Sequence, residues 1–282
     1  MKLNIKAVTA AKSSVAMAIL ALTLATAGVA HSEDVGTITA GKLLVGSDQV
    51  YPPYDYLENG VTKGLDADVL AAIAPKLGLE VEFVDTRFAN LIGGLQANKY
   101  DVIASALYVT AARAKVVDYI PYAKTGGSLM VRSDDDFAPK KPEDLCGKRV
   151  ANLKGAAWVP ELQKTSDKSC ASNPIDVKEF ATSAEAAQAL LSRGADVVFD
   201  DAGVSKAAVV ATGDRLKITS TEILFPVVMG IAVKKGNTEL LDRLKNELQT
   251  LVASKEYDAI LAKYNLALPS EEEIARSLSE QN

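Results

Sequence analysis

Residues 99–118 read KYDVIASALYVTAARAKVVD, and the fold turns on how this stretch is read. Residues 102–106 form a short apolar run of strand character. Tyr108 follows, then Thr110 at a helix N-cap position, then Arg113 one turn further on. A strand end, a turn and a helix start together bring backbone N–H groups and a guanidinium onto one small anion. A carboxylate suits such a place, because helix N-termini and arginine both favour negative charge. The stretch therefore predicts a ligand-holding junction in an α/β layer.

Working towards the N-terminus, residues 88–97 have helical spacing, with Leu91, Ile92 and Leu95 on one face. Residues 80–84 alternate as a strand. Residues 66–77 carry Val69, Leu70, Ile73 and Leu77 at helical spacing and stop at Gly78, a C′ glycine. Residues 43–47 are a strand; Asp48 follows it. Tyr51-Pro52-Pro53-Tyr54 is then a stiff extended turn fixed by its prolines. Strands and helices alternate, which predicts a largely parallel sheet. Ligands in such sheets bind beyond the carboxyl ends of strands. Asp48, Tyr51, Phe88 and the turn at Ala106 all lie there and should converge.

Towards the C-terminus, residues 128–132 form a strand that runs into Asp134-Asp135-Asp136, a solvated loop and a candidate boundary. Residues 148–153 are a strand followed by Gly155, Ala156, Ala157 and Trp158, a second strand–loop–helix junction. Residues 175–180 and 195–199 read as strands, the latter ending in Asp200-Asp201, with a helix over 183–193 between them. Residues 223–233, around Pro226, form a strand path back. Helices over 238–253 and 257–264 follow. From Pro269 onward comes a polar tail, with Ser270 as N-cap and three glutamates in its first turn.

With 48% hydrophobic and 24% charged residues, the 282-residue chain has an ordinary globular composition, enough for one large domain or two small ones. The formal charge of −5, without any Lys/Arg-rich run, argues against a nucleic-acid surface. The first thirty residues differ from the rest. Lys2, Lys6 and Lys12 give a positive start without acids, and residues 14–30 are small and mainly apolar. Gly28-Val29-Ala30 has a small-x-small cleavage pattern, and Ala30-His31-Ser32 is the alternative. Residues 1–30 therefore read as a secretory signal peptide. A membrane helix is disfavoured, because the apolar run is shorter than the ~20 residues a span needs. Export would make the mature chain more acidic by three lysines and place it in the periplasm.

Cys146 and Cys170 are the two cysteines, both in the exported part. In an oxidising compartment a disulfide is the default reading, with two free thiols as the alternative. A zinc site is disfavoured, and no cofactor is implied. The sole histidine is His31, at or before the cleavage region. Ser–His–Asp, Cys–His and other histidine-based schemes are thus excluded.

Several segments together resemble the bacterial periplasmic solute-binding proteins of polar amino-acid ABC importers, the family 3 extracellular solute-binding proteins. They are VGSDQVYPPYDYLENG, KGLDADVLAAIAPKLGLEVEFV, FANLIGGLQANKYDVIASALYVTAARAKVVDYIPY, PEDLCGKRVANLKGAA, GADVVFDDAGVSKA and MGIAVKKGNTELLDRLKNELQTLVASKEYDAILAKY. Each is weak alone; their order and spacing are specific. The resemblance covers the mature chain to about Leu266. It implies a two-lobed α/β flytrap with two hinge strands. Residues 37–128 with 230–268 would form lobe one and residues 131–225 lobe two. The hinges would lie near 129–132 and 226–230, and residues 269–282 would be a polar tail. A Cys146–Cys170 bridge would staple lobe two.

The resemblance also implies roles for single residues. Arg113 would hold a ligand α-carboxylate, and Ser105 and the Ala106 N–H would hydrogen-bond the ligand. Asp201 would accept from an α-ammonium. Tyr51 and Phe88 would sandwich the ligand side chain, and Asp48 would reach its polar end. Two positions depart from the pattern. Tyr108 stands where Ser or Thr is usual, and Ala157 stands where Thr is common, followed by Trp158. A reshaped pocket for an amino-acid derivative or opine-like compound is the expectation. The implied function is non-enzymatic: capture of an amino-acid-like solute by a monomer and its delivery to an ABC permease. The competing reading is a dehydratase-like enzyme on the same fold acting on a cyclic carboxylic acid.

Overall fold

The computed structural model describes residues 36–279. The signal-peptide reading of residues 1–30, both cleavage patterns and His31 lie outside the described residues, as do the last three residues of the tail.

Twelve strands are present among the described residues. In the first part of the chain they are β1 (Lys42–Ser47), β2 (Val50–Tyr51), β3 (Asp55–Glu58), β4 (Val61–Lys63), β5 (Glu80–Asp85), β6 (Val102–Ile103) and the long β7 (Val117–Arg132). They continue with β8 (Arg149–Leu153), β9 (Asp176–Phe180), β10 (Val197–Asp201), β11 (Leu216–Ile218) and β12 (Leu224–Lys234). The main sheet runs β5-β1-β6-β12-β7-β10-β8-β9, with β11 paired to β7. β1 is parallel to β5 and β6, and β8 is parallel to β9 and β10. Two parallel α/β units thus lie on either side of the antiparallel pair β7–β12.

The helices are α1 (Leu65–Ile73), α2 (Leu91–Gln96), α3 (Ala111–Ala114), α4 (Trp158–Ser169), α5 (Ser183–Leu191), α6 (Ala202–Ala211), α7 (Thr238–Ala253), α8 (Glu256–Lys263) and α9 (Glu271–Leu278). The expected helix over 66–77 becomes α1 followed by a 3₁₀ turn at Ala74–Leu77. Pro75 explains the break, since it lacks the N–H an α-helix needs and crowds the preceding turn. Gly78 still closes the element, with φ 70°. The expected helix over 88–97 likewise splits into a 3₁₀ turn, Phe88–Asn90, and α2. The turn read at Tyr51–Tyr54 joins β2 to β3, and residues 50–63 form the small antiparallel sheet β2-β3-β4.

The longer helices bury apolar faces against the core. In α7, Leu240, Leu244, Leu248 and Leu251 are buried at i, i+4 spacing. The largest continuous core joins Leu43, Val45, Val69, Leu70 and Ile73 of the first unit to Leu145, Val150, Leu162 and Val197 of the second.

The two connecting strands pair with each other and with no other strand where Thr125, Lys124 and Ala123 meet Val227, Val228 and Met229; single bridges join Lys124 to Ala267 and Met229 to Tyr108. Residues 226–230 lie on this crossing, but 129–132 do not. Leu129 and Met130 already pair with Phe199 and Val198 of β10, and Val131 and Arg132 with β11. The crossing of β7 and β12 thus includes residues 123–125, and residues 129–132 lie further along β7, beside β10 and β11. The sequence did not distinguish these positions because β7 is one uninterrupted strand of 16 residues, buried along most of its length.

The C-terminal tail forms α9, capped reciprocally by Ser270 and Glu273. It is tied to the crossing, because Lys124 pairs with Glu273 at 2.9 Å and its N–H donates to Ala267 O at 3.0 Å.

Cys146 and Cys170 are joined, with Cα atoms 5.2 Å apart and a sequence separation of 24. The bond pins α4 to the turn before β8. Closing a loop of this size is worth about 3 kcal/mol in the chain-entropy account. Reduction is therefore expected to lower Tm by roughly 6–12 °C, read by calorimetry with and without reductant. An unchanged Tm would mean the bond adds nothing to stability.

Candidate functional site

The site grows out of four chain segments that meet beside the crossing strands. The first is the turn after β6. Only Val102 and Ile103 pair as a strand, shorter than the expected 102–106. The chain then leaves the sheet, and Ala106 takes φ 43°. Its N–H donates to Asp66 Oδ2 at 2.8 Å. That N–H is therefore committed to the core of its own lobe, and the expectation that it contacts ligand is corrected. Ser105 is also fully buried, and its hydroxyl accepts from the Asp48 N–H at 3.0 Å. Asp66 lies beside Asp55, and burial pushes both carboxyls up.

Thr110 caps α3 as the sequence predicts, accepting from the Arg113 N–H at 3.2 Å. The cap aims the Arg113 side chain at the cleft. Its Nη1 donates to Tyr108 O and its Nη2 to Gly155 O, each at 3.0 Å. The guanidinium carbon lies 5.6 Å from the Phe88 ring centroid, within cation–π range. Burial lowers the Arg113 pKa somewhat, and the group remains a cation. Two carbonyls use two of its five N–H donors, and no carboxylate partner meets it among the described residues. The remaining donors suit an incoming carboxylate.

The second segment is 48–54. Asp48 is buried, but its carboxylate accepts the Phe88 N–H at 2.9 Å and pairs with Arg87 at 2.8 Å. Asp48 thus anchors the 3₁₀ turn that presents Phe88. Each of its oxygens holds one partner from that turn or the residue before it. Tyr51 donates its phenol to Asp200 Oδ1 at 3.0 Å. Tyr54 donates to Asp201 Oδ1 at 2.6 Å. Both bonds run from the first lobe to the end of β10 in the second.

The third and fourth segments come from the second lobe. Gly155 has φ 80°, and a Cβ there would lie 3.3 Å from the Ala89 Cα across the cleft. A side chain at 155 would be strained and would crowd the facing lobe. Ala157 caps α4, and Trp158 opens it. The Trp158 ring is buried, edge-on to Tyr108 at 5.0 Å and close to Phe199 and Phe225. Asp200 accepts from Tyr51, from Ser183 and from the Asp201 N–H. Burial pushes its carboxyl up to about 6. Asp201 accepts from Tyr54, Tyr108, Thr125 and the Gly203 N–H. Burial raises its pKa, and the three hydroxyl bonds pull the other way. Burial and these carboxylates hold the Tyr51, Tyr54 and Tyr108 phenols well above their ordinary value, so they stay donors.

A cleft of about 1420 Å³ opens beside this cluster, lined among others by Arg113, Gly155, Ala157, Trp158 and Phe225. Tyr51, Phe88, Tyr108, Arg113, Ala157, Trp158 and Asp201 are thus brought into one neighbourhood. Sequence reasoning missed Tyr54, Thr125 and Phe225. Tyr54 had a signal, since the two tyrosines flank the same prolines; the other two had none.

The sequence profile of the bacterial extracellular solute-binding proteins, family 3, matches residues 43–267, most of the chain. The chain belongs to that family. The Bacillus subtilis "Probable amino-acid-binding protein YxeM" is 27% identical over 223 residues, covering 78% of this chain and 81% of that one. The Escherichia coli "ABC transporter arginine-binding protein 1" is 27% identical over 250 residues, covering 84% and 96%. Among solved structures, an ancestral arginine-binding protein bound to arginine is 34% identical with TM-score 0.73, covering 79% and 98%, and an ancestral arginine-binding protein bound to glutamine is 34% identical with TM-score 0.73, covering 80% and 98%. The fold is therefore that of the periplasmic binding proteins. As a family 3 member, this chain is a binding protein rather than a catalyst, and the relatives just named are binding proteins too.

Proposed function

We propose that this solute-binding protein is the periplasmic receptor of an ABC importer, taking an amino acid or an amino-acid derivative between its lobes. The observation that carries the reading is Arg113. It is a half-buried guanidinium with unused donors, held at the cleft by the Thr110 cap and bonded across it to Gly155 O. A carboxylate there would gain a bidentate partner in a setting shielded from water. The relatives' names supply the solute class, arginine and amino acids, and the transport context. Residues 37–128 with 230–268 would move as one lobe and 131–225 as the other, around the crossing at 123–125 and 227–229. The mature monomer would reach the periplasm after removal of residues 1–30 and dock on the permease once closed. Closure follows because the ligand touches both lobes at once.

A thermal-shift screen of the mature protein against amino acids and their derivatives tests this, since a bound ligand raises Tm by linkage. Titration calorimetry should then give saturable one-to-one binding without turnover. Formation of product from a prephenate-type acid would overturn the reading. Trp158, the single tryptophan, lies against Tyr108 in the cleft, so its emission is expected to change with saturation. A calorimetrically confirmed ligand that leaves the emission unaltered would remove Trp158 from the site.

A further inference from the structure

Asp201 has no acceptor capacity left for a ligand. A carboxylate offers about four lone-pair sites, and here four donors fill them. Oδ1 takes the Tyr54 phenol at 2.6 Å and the Gly203 N–H at 2.8 Å. Oδ2 takes the Tyr108 phenol and the Thr125 hydroxyl, each at 2.9 Å. Asp200 beside it is likewise held by Tyr51, Ser183 and a backbone N–H.

Tyr108 does not stand in the site as a loose side chain. Its carbonyl accepts from Arg113 and from the Tyr119 phenol, its backbone bridges to Met229, and its ring packs on Trp158. The other acids on the cleft are also engaged or exposed. Glu161 pairs with Lys164, Glu273 with Lys124, Glu179 accepts the Gly155 N–H, and Glu143 is exposed to water. The recognition centre thus offers a cation with spare donors, Arg113, beside an Asp201 whose four acceptor positions are taken, while Asp48 is tied to Arg87 and the Phe88 N–H and Asp200 to Tyr51, Ser183 and the Asp201 N–H.

We infer that the ligand is a carboxylate that brings no free α-ammonium, such as an N-acyl amino acid or a 2-oxo acid, and that Tyr108 sets this specificity by occupying Asp201. The inference rests on the receptor reading above. A free α-ammonium held near Arg113 would have to displace a phenol locked by its backbone and ring, or be buried unpaired, which is costly. A neutral amide or carbonyl makes no such demand. The cleft of about 1420 Å³ leaves room for the added acyl group.

The test is paired titration of the mature protein with the free L-amino acids, their Nα-acetyl counterparts and the matching 2-oxo acids. The expected result is at least tenfold tighter binding of an acetylated or oxo member than of its parent. In Tyr108→Ser the preference should fall or reverse by at least tenfold, because one lone-pair position of Asp201 and a ring's volume are released. The wild-type comparison decides the matter even if that variant does not fold. A free amino acid that binds as tightly as its acetylated counterpart overturns this inference and leaves the receptor reading standing. Silence across all three panels overturns the receptor reading, and this inference with it.

Discussion

Replacing Arg113 with alanine is expected to weaken ligand binding by at least a hundredfold, measured by calorimetry on the best ligand of the screen. The guanidinium is the one group that the site's local structure exists to present. Thr110 caps α3 by accepting the Arg113 N–H, Phe88 lies under the guanidinium, and two carbonyls fix its plane. Removing it leaves a ligand carboxylate desolvated without a partner. Breaking a buried ion pair in this way costs about 3–5 kcal/mol. Arg113→Lys should recover only part of the loss, because an ammonium keeps the charge but not the planar fork. The fold should survive, since the lost internal bonds are two, both to carbonyls at the cleft rim. A variant with wild-type affinity would show that the carboxylate is held elsewhere.

What was legible in the sequence was local. The Thr110 cap and Arg113 three residues later form a short-range pattern, and the structure builds it as read. Asp201 was legible as the end of a strand, where it starts α6, while its expected role came only from the family resemblance. The features that were not legible depend on residues far apart in the chain. The Ala106 N–H is captured by Asp66, 40 positions earlier. Tyr54 and Thr125 reach Asp201 across 147 and 76 positions. Asp48 reads as a ligand residue from its place after β1, yet Arg87 and the Phe88 N–H claim it. No periodicity reports such competition between partners, because it is settled by packing of the finished lobes. The strand crossing was not legible for a related reason. A strand that serves two lobes carries one continuous apolar pattern, and only its pairing partners show where one lobe ends.

Asp201→Ala is expected to open the unliganded protein. The carboxylate gathers a phenol from β2–β3, a phenol from the turn after β6, a hydroxyl from the crossing strand and an N–H of α6. Three of these four donors sit outside the second lobe, so the residue works as a clasp between lobes. Alanine leaves Tyr54, Tyr108 and Thr125 without that acceptor. A stranded buried hydroxyl costs roughly 1–3 kcal/mol, and separation of the lobes lets water satisfy all three. The Tyr51–Asp200 bond and the Arg113–Gly155 bond remain and oppose opening, but each is a single bond from the other side of the cleft. Small-angle scattering should therefore show a larger radius of gyration for the variant, and Tm should fall by several degrees. Asp201→Asn keeps the shape and one acceptor oxygen, so it should lie between the two. If Asp201→Ala scattered and melted like the wild type, the hydroxyl cluster would contribute nothing to closure. The sign of the effect is fixed by the directions of the bonds. All four donors converge on Asp201; the Tyr54 and Thr125 hydroxyls, 3.3 Å apart, can satisfy one another in part, but Tyr108 is left without an acceptor.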